Sequence, residues 1–244
     1  MLSINETKRI RSLNQKKFRD KLGLFIVEGE KMVSELKNSD FSIESIYLKR
    51  EIGDELMAKI SGLHSPSPVL AIAKKRENNI SIEEAISRTS NKGLYLILDR
   101  IMDPGNMGTI IRVAEWFGID AIFASPDSVE LYNPKVVQAT MGSIFRMNFY
   151  NIDVVELAKY IKGNIYGTFL DGENIYNFDL NTGEKNPSFI IIGNESEGIS
   201  KELEKLVTDK LYIPPYPADN PGSESLNAAI ATAITLAEFR RQIK

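Results

Sequence analysis

Read by its apolar positions, the chain falls into two successive runs of alternating strand and helix. Residues 1–22 form a basic helical segment in which Ile4, Ile10, Leu13 and Phe18 are the apolar anchors. The block LFIVEG (24–29) is a short buried strand, and GEKMVSELKNS then places Met32, Val33 and Leu36 at helical spacing. SIESIYLKR (42–50) alternates and predicts a strand, followed by a helix over 54–60 and a strand at VLAIAKK (69–75). Together these make a small α/β unit of about 75 residues, within the range of a folding domain. Polar residues from Lys74 to Asn79 mark a boundary, and SIEEAISRTSNKG (81–93) predicts a short helix capped by Ser81, with Glu84 three residues on.

The second run opens with GLYLILDR (93–100), a nearly unbroken apolar strand of the kind found in doubly covered parallel sheets. The pattern then predicts a helix over 106–117, strand 121–125, helix 133–142, strand 144–150 and helix 153–162. Strands over 165–170 and 188–193, a helix over 200–208, the strand KLYIP and a final alanine-rich helix complete it. The domain reading is therefore residues 1–76, a connection at 77–92, and residues 93–244.

Composition narrows the chemistry more than the fold. The 244 residues are 43% hydrophobic and 26% charged, ordinary for a globular protein, and no apolar run approaches a membrane span. The polar start MLSINETKRIRS lacks a signal-peptide core, so a cytoplasmic location is expected. With no cysteine there is no disulfide, thiolate nucleophile or cysteine-ligated metal, and His64 is the single histidine. No metal site is expected. The net charge is −3, yet residues 6–21 carry seven cations against Glu6 and Asp20. That excess fits either a solvated helix surface or a patch that contacts phosphates.

Three stretches place polar residues just beyond apolar strands, where open α/β sheets hold their ligands. In LDRIMDPGNMGTIIRVAEWFG (98–118) a strand runs through the Asp103–Asn106 turn into a helix carrying Arg112 among apolar neighbours. A buried-side arginine needs a partner: a bound anion, or a structural pair with Glu115 or Asp99. In SFIIIGNESEGIS (188–200), Glu195 follows Gly193 directly after the strand, in a pattern that is neither GxGxxG nor a phosphate-binding P-loop. In LYIPPYPADNPGSESLNAAIATAI (211–234), Gly222, Ser223 and Ser225 precede the last helix. That arrangement fits an ordinary serine-capped turn or a ligand-facing helix start.

In this order, NMGTIIRVA, GNESEGIS and IP…SLNAAIA resemble the three motifs of the SpoU (TrmH) family of the SPOUT superfamily, over roughly 93–244. Residues 1–76 resemble the ribosomal-protein-like RNA-binding domain often attached to these enzymes, chiefly through LFIVEGEKMVSE. The resemblance implies an α/β fold with a parallel sheet and a trefoil knot, preceded by the small α/β domain. It implies transfer of a methyl group from S-adenosylmethionine to a ribose 2′-hydroxyl of RNA, and a homodimer formed through the knotted domain. Backbone at Gly193, Ile213 and Leu226 would hold the cofactor. Asn106, Arg112, Glu195, Ser225 and Asn227 match the family's polar motif residues. The loop Pro214–Ser223 is longer than the family pattern. Ribosomal RNA, most naturally the 23S molecule, is the expected substrate. Transfer RNA, a base-directed methyl transfer and a non-catalytic RNA-binding protein remain as alternatives.

Overall fold

The structure, a computed structural model, describes residues 2–180, 186–217 and 225–242. Gly222 and Ser223, with the rest of 218–224, lie outside the described residues. In chain order the elements are α1 (Ile4–Ser12), α2 (Lys16–Leu22), β1 (Leu24–Glu28), α3 (Glu30–Lys37), β2 (Ile43–Leu48), α4 (Lys49–Ile52), α5 (Asp54–Ile60) and β3 (Val69–Lys74). There follow α6 (Ile82–Ser87), β4 (Leu94–Leu98), α7 (Pro104–Trp116), β5 (Ala121–Ala124), α8 (Pro134–Thr140) and β6 (Phe149–Asn151). The chain continues through α9 (Val154–Tyr160), β7 (Asn164–Asn174), β8 (Ser188–Ile192), α10 (Lys201–Glu204), β9 (Asp209–Tyr212) and α11 (Ala228–Gln242). Two compact units result: residues 1–77 with 130–146, and residues 78–129 with 147–244.

The smaller unit is an antiparallel sheet of order β1-β3-β2. All five residues of β1 are buried, which requires cover on both sides. On one side Leu24 and Ile26 join Ile10 of α1, Leu13 just past its end, and Met57 and Ile60 of α5. On the other, Phe25 meets Tyr132 with ring centroids 4.7 Å apart, and Phe41 meets Phe145 at 5.3 Å. The helix expected over 133–142 thus covers the first sheet, although its place in the sequence suggests the second. Nothing local to a helix says which sheet it will cover; the complementary aromatic surfaces do.

A buried ion pair joins the two segments of this unit. Arg19, only 2% exposed, donates to Glu130 through Nε and Nη2, and its Nη1 donates to the Leu13 carbonyl at 2.8 Å. Lys75 also reaches Glu130, at 3.2 Å. The single helix expected over 1–22 is broken between α1 and α2, where Ser12 Oγ donates to the Arg9 carbonyl and Asn14 Nδ2 to the Arg11 carbonyl. Such side chains offer the backbone an alternative to continuing the helix.

The larger unit is a sheet of order β6-β5-β4-β8-β7-β9, with every pairing parallel. Strands β4, β5 and β8 are buried throughout, as their unbroken apolar runs predict. One face is filled by Tyr95, Phe123 and Phe189, with Leu157 of α9 and Leu203 of α10 against them. On α11, Phe239 packs edge-on against Tyr166 of β7, with centroids 5.0 Å apart. Two elements are shorter than expected. Residues 143–145 form a 3-10 turn after Met141 and Gly142, both in left-handed backbone, so β6 starts only at Phe149. Helix α10 stops at Glu204 because the Thr208 amide already bonds the Ile165 carbonyl, at 2.8 Å, ahead of β9.

Removing one partner of a buried pair leaves the other charge desolvated, so Arg19→Met should cost about 3–5 kcal/mol in urea unfolding followed by circular dichroism. The double substitution Arg19→Met with Glu130→Leu should be less destabilised than either single one.

Candidate active site

Because β4, β8, β7 and β9 run parallel side by side, the loops that follow Leu98, Ile192 and Tyr212 emerge at one sheet edge. Beyond them lies a cavity of about 510 Å³. Gly193, Glu195, Ile213, Ser225 and Leu226 all line it, with Ile192, Leu211 and Ala228 supplying apolar wall. Size and lining suit an organic cofactor with an apolar body and a few polar groups. Gly193 is required here, since a Cβ on it would lie 2.3 Å from both the Gly198 carbonyl carbon and the Ile199 nitrogen. That close approach closes the loop, in which Asn194 and Gly198 exchange two backbone hydrogen bonds of 3.0 Å. The Asn194 side-chain oxygen then accepts from the amides of Ser196 (2.9 Å) and Glu197 (3.0 Å).

Three of the sequence-predicted polar residues form one hydrogen-bonded chain. Asn106 Nδ2 donates to Glu195 Oε1 at 3.0 Å, and Asn227 Nδ2 donates to Asn106 Oδ1 at 2.8 Å. Each is set by its own loop. Asp103 caps α7, its Oδ1 accepting from the Asn106 amide at 2.7 Å, and Pro104 occupies the first turn. Asn227 caps α11, its Oδ1 accepting from the Ala229 amide at 2.9 Å and the Ile230 amide at 3.3 Å. The serine cap anticipated for this helix is therefore an asparagine cap; Ser225 stays exposed at the cavity wall. Glu195 also accepts from the backbone amides of Met102 and Asp103, at 3.4 and 3.3 Å. Burial by itself would raise its pKa. The hydrogen bonds from Asn106 and the backbone outweigh that and hold the carboxyl below its ordinary value. Glu195 thus neither caps α10 nor pairs with an arginine.

Arg112 departs from expectation. It is exposed, and no hydrogen bond or ion pair with the described residues holds it. Met107, Ile110, Ile111 and Ala114 form the inward stripe of α7, whereas Thr109, Arg112 and Trp116 fall on its outer face. Apolar neighbours in sequence are not neighbours on a helix surface, which is why the buried-side reading fails. Asp99, considered as its structural partner, instead accepts from the Ser200 amide at 2.7 Å and from Arg100 Nε at 3.3 Å. Asp99 and Arg100 had no assigned role at the site from sequence; the signal available was a polar pair ending an apolar strand.

Asn227→Ala removes both the helix cap and the link to Asn106, and should cost on the order of 1 kcal/mol in thermal unfolding. The lowered pKa of Glu195 means its stabilising contribution is complete above the ordinary carboxylate value of 4.5 and is lost as pH falls through the lower folded value. The difference in melting temperature between wild type and Glu195→Gln, present at pH 7, should therefore shrink in acid.

The model of the SpoU rRNA Methylase family matches residues 93–237, and that of the MRM3-like substrate binding domain matches residues 5–85. The 23S rRNA (guanosine(2553)-2′-O)-methyltransferase RlmP of Bacillus subtilis (strain 168) is 26% identical over 94% of each chain. A TrmH-family protein from Porphyromonas gingivalis superposes with a TM-score of 0.84 at 33% identity, over 99% of each chain. The AdoMet-bound rRNA methyltransferase from Sinorhizobium meliloti superposes with a TM-score of 0.86 at 27% identity, over 100% of this chain and 98% of that one. Matched by that family model over more than half of its length, with a cavity at the carboxyl edge of a parallel sheet, the chain belongs to the SpoU rRNA methylase family.

Proposed function

We propose that this protein methylates a ribose 2′-hydroxyl of RNA with S-adenosylmethionine as donor, and that its substrate is 23S ribosomal RNA. The observation that carries this reading is the convergence of Gly193, Ile213, Ser225 and Leu226 on one cavity, with Glu195 joining that cavity to Asn106 and Asn227. The cofactor, when bound, supplies an activated methyl group. Gly193, Ile213 and Leu226 hold it through backbone and apolar contact, and Ser225 faces the same space.

The protein's part in the transfer is then positioning, which by itself removes a large share of the barrier. Glu195 is fully hydrogen-bonded and acts as an anchor for Asn106 and Asn227, not as a base. The Arg112 guanidinium serves as a hydrogen-bond donor and not as a base. With no carboxylate among the described residues bound to it, this guanidinium is available to an RNA phosphate or to the 2′-oxygen as negative charge develops there. The proton is passed on to phosphate or water.

The RNA is held by residues 1–76, joined through 77–92 to the methyltransferase region 93–244. In support, Arg9, Lys16 and Arg19 are taken up in ion pairs, whereas Lys8, Arg11, Lys17 and Lys21 are exposed and have none among the described residues. The working form is a homodimer through a knotted domain, with the RNA site shared between subunits. Trp116 on α7 is 85% exposed, with Ile230 and Leu226 about half exposed at the start of α11. Apolar surface of this kind marks an interaction site, and Trp116 lies on the face of α7 that carries Arg112. No helix among the described residues is long and apolar enough to cross a membrane; the cytoplasm is the proposed compartment.

The test is tritiated methyl transfer to purified 23S RNA and to transfer RNA, followed by alkaline hydrolysis. Label retained in alkali-resistant dinucleotides from the 23S molecule supports the reading; label in mononucleotides would mean a base-directed reaction. Arg112→Ala should lower turnover at saturating cofactor by about 10²-fold or more, the scale of losing one transition-state charge contact. Near-normal turnover would remove Arg112 from the chemistry. Trp116→Glu should shift the sedimentation coefficient to that of a monomer and abolish transfer.

A further inference from the structure

We propose that Arg100 is a positioning residue for the cofactor, holding the loop Asn194–Gly198 in the form that bounds the cavity; this rests on assigning that cavity to S-adenosylmethionine. Arg100 lies just past β4 in left-handed backbone, with φ of 56°. For a residue with a side chain this conformation is disfavoured and persists where the surroundings over-determine it. Here they do. The Arg100 amide donates to Ser125 Oγ at 2.9 Å, and the Arg100 carbonyl accepts from Asn194 Nδ2 at 2.8 Å.

The side chain then reaches the far end of the same loop. Nη1 pairs with the Glu197 carboxylate, and Nη2 points at the Gly198 carbonyl oxygen, 3.5 Å away. Nε rests on Asp99 Oδ1, and Asp99, 3% exposed, fixes the loop's exit by accepting from the Ser200 amide. Two consecutive residues of one strand end thereby hold the loop at its start, tip and exit. Asn194, Glu195, Ser196, Glu197 and Gly198 all line the cavity. The planar fork of a guanidinium can address a carboxylate and a carbonyl together, where an ammonium is a single point of charge.

The unusual backbone defines the experiment. Arg100→Gly keeps the left-handed conformation without strain and removes the side chain with its guanidinium, and Arg100→Lys restores charge without the fork. Titration calorimetry with S-adenosylmethionine should show binding by the wild type and about ten-fold weaker binding by Arg100→Gly, the scale of one lost charge-assisted hydrogen bond. Arg100→Lys should fall between them. In methyl transfer the KM for the cofactor should rise by more than kcat at saturation falls, and the melting temperature should drop modestly because buried Asp99 loses one partner. Unchanged affinity in Arg100→Gly would overturn the proposal, as would a fall in kcat that merely tracks a lowered melting temperature. A wild-type chain that fails to bind the cofactor would overturn the assignment of the cavity itself, and the proposal with it.

Discussion

The Glu195 carboxylate is the constraint on which the larger unit's functional edge depends. Taking a carboxylate partly out of water is costly unless donors surround it. Here the donors come from the loop after β4 and from the first turn of α7. Through Asn106 the chain of hydrogen bonds passes to Asn227, the residue that opens α11. One buried-edge charge therefore ties three loops that are far apart in sequence. The lowered pKa of Glu195 expresses the same fact, because those donors favour the ionised form.

Around that anchor the chemistry is divided between rigid and available groups. Gly193 permits a backbone approach that no side chain would tolerate, and Asp99 is buried against the loop exit. Arg112, by contrast, is left on an outer helix face beside Trp116. A site that must admit a large polyanion needs such a division. The cavity is bounded by tight backbone packing at Gly193, while Arg112 is exposed and has no hydrogen bond or ion pair among the described residues.

The smaller unit shows the same economy in its construction. A three-stranded sheet buries too little on its own, so β1 is covered on one side by α1 and α5 and on the other by residues 130–146. The Arg19–Glu130 pair fixes that second cover by charge and geometry as well as by apolar contact.

Much of this was legible in the chain. Unbroken apolar runs such as LYLIL and SFIII can be buried only inside a covered parallel sheet, and Asp103-Pro104 or Ser81 with Glu84 announce helix starts through backbone amides they alone can satisfy. Strand ends bearing Asn106, Glu195 and Ile213 followed from that sheet. That Arg112 faces outward was legible only in the 100° steps of the helix, a periodicity that its four apolar neighbours in sequence mask. The sequence could not say that Asn227 and not a serine caps α11, that Arg100 reaches Glu197, or that residues 130–146 belong with β1. Those are contacts between distant segments, and local pattern carries no information about them. The sequence by itself determined the elements and the chemistry available; tertiary packing decided which groups are tied down and which are left to act.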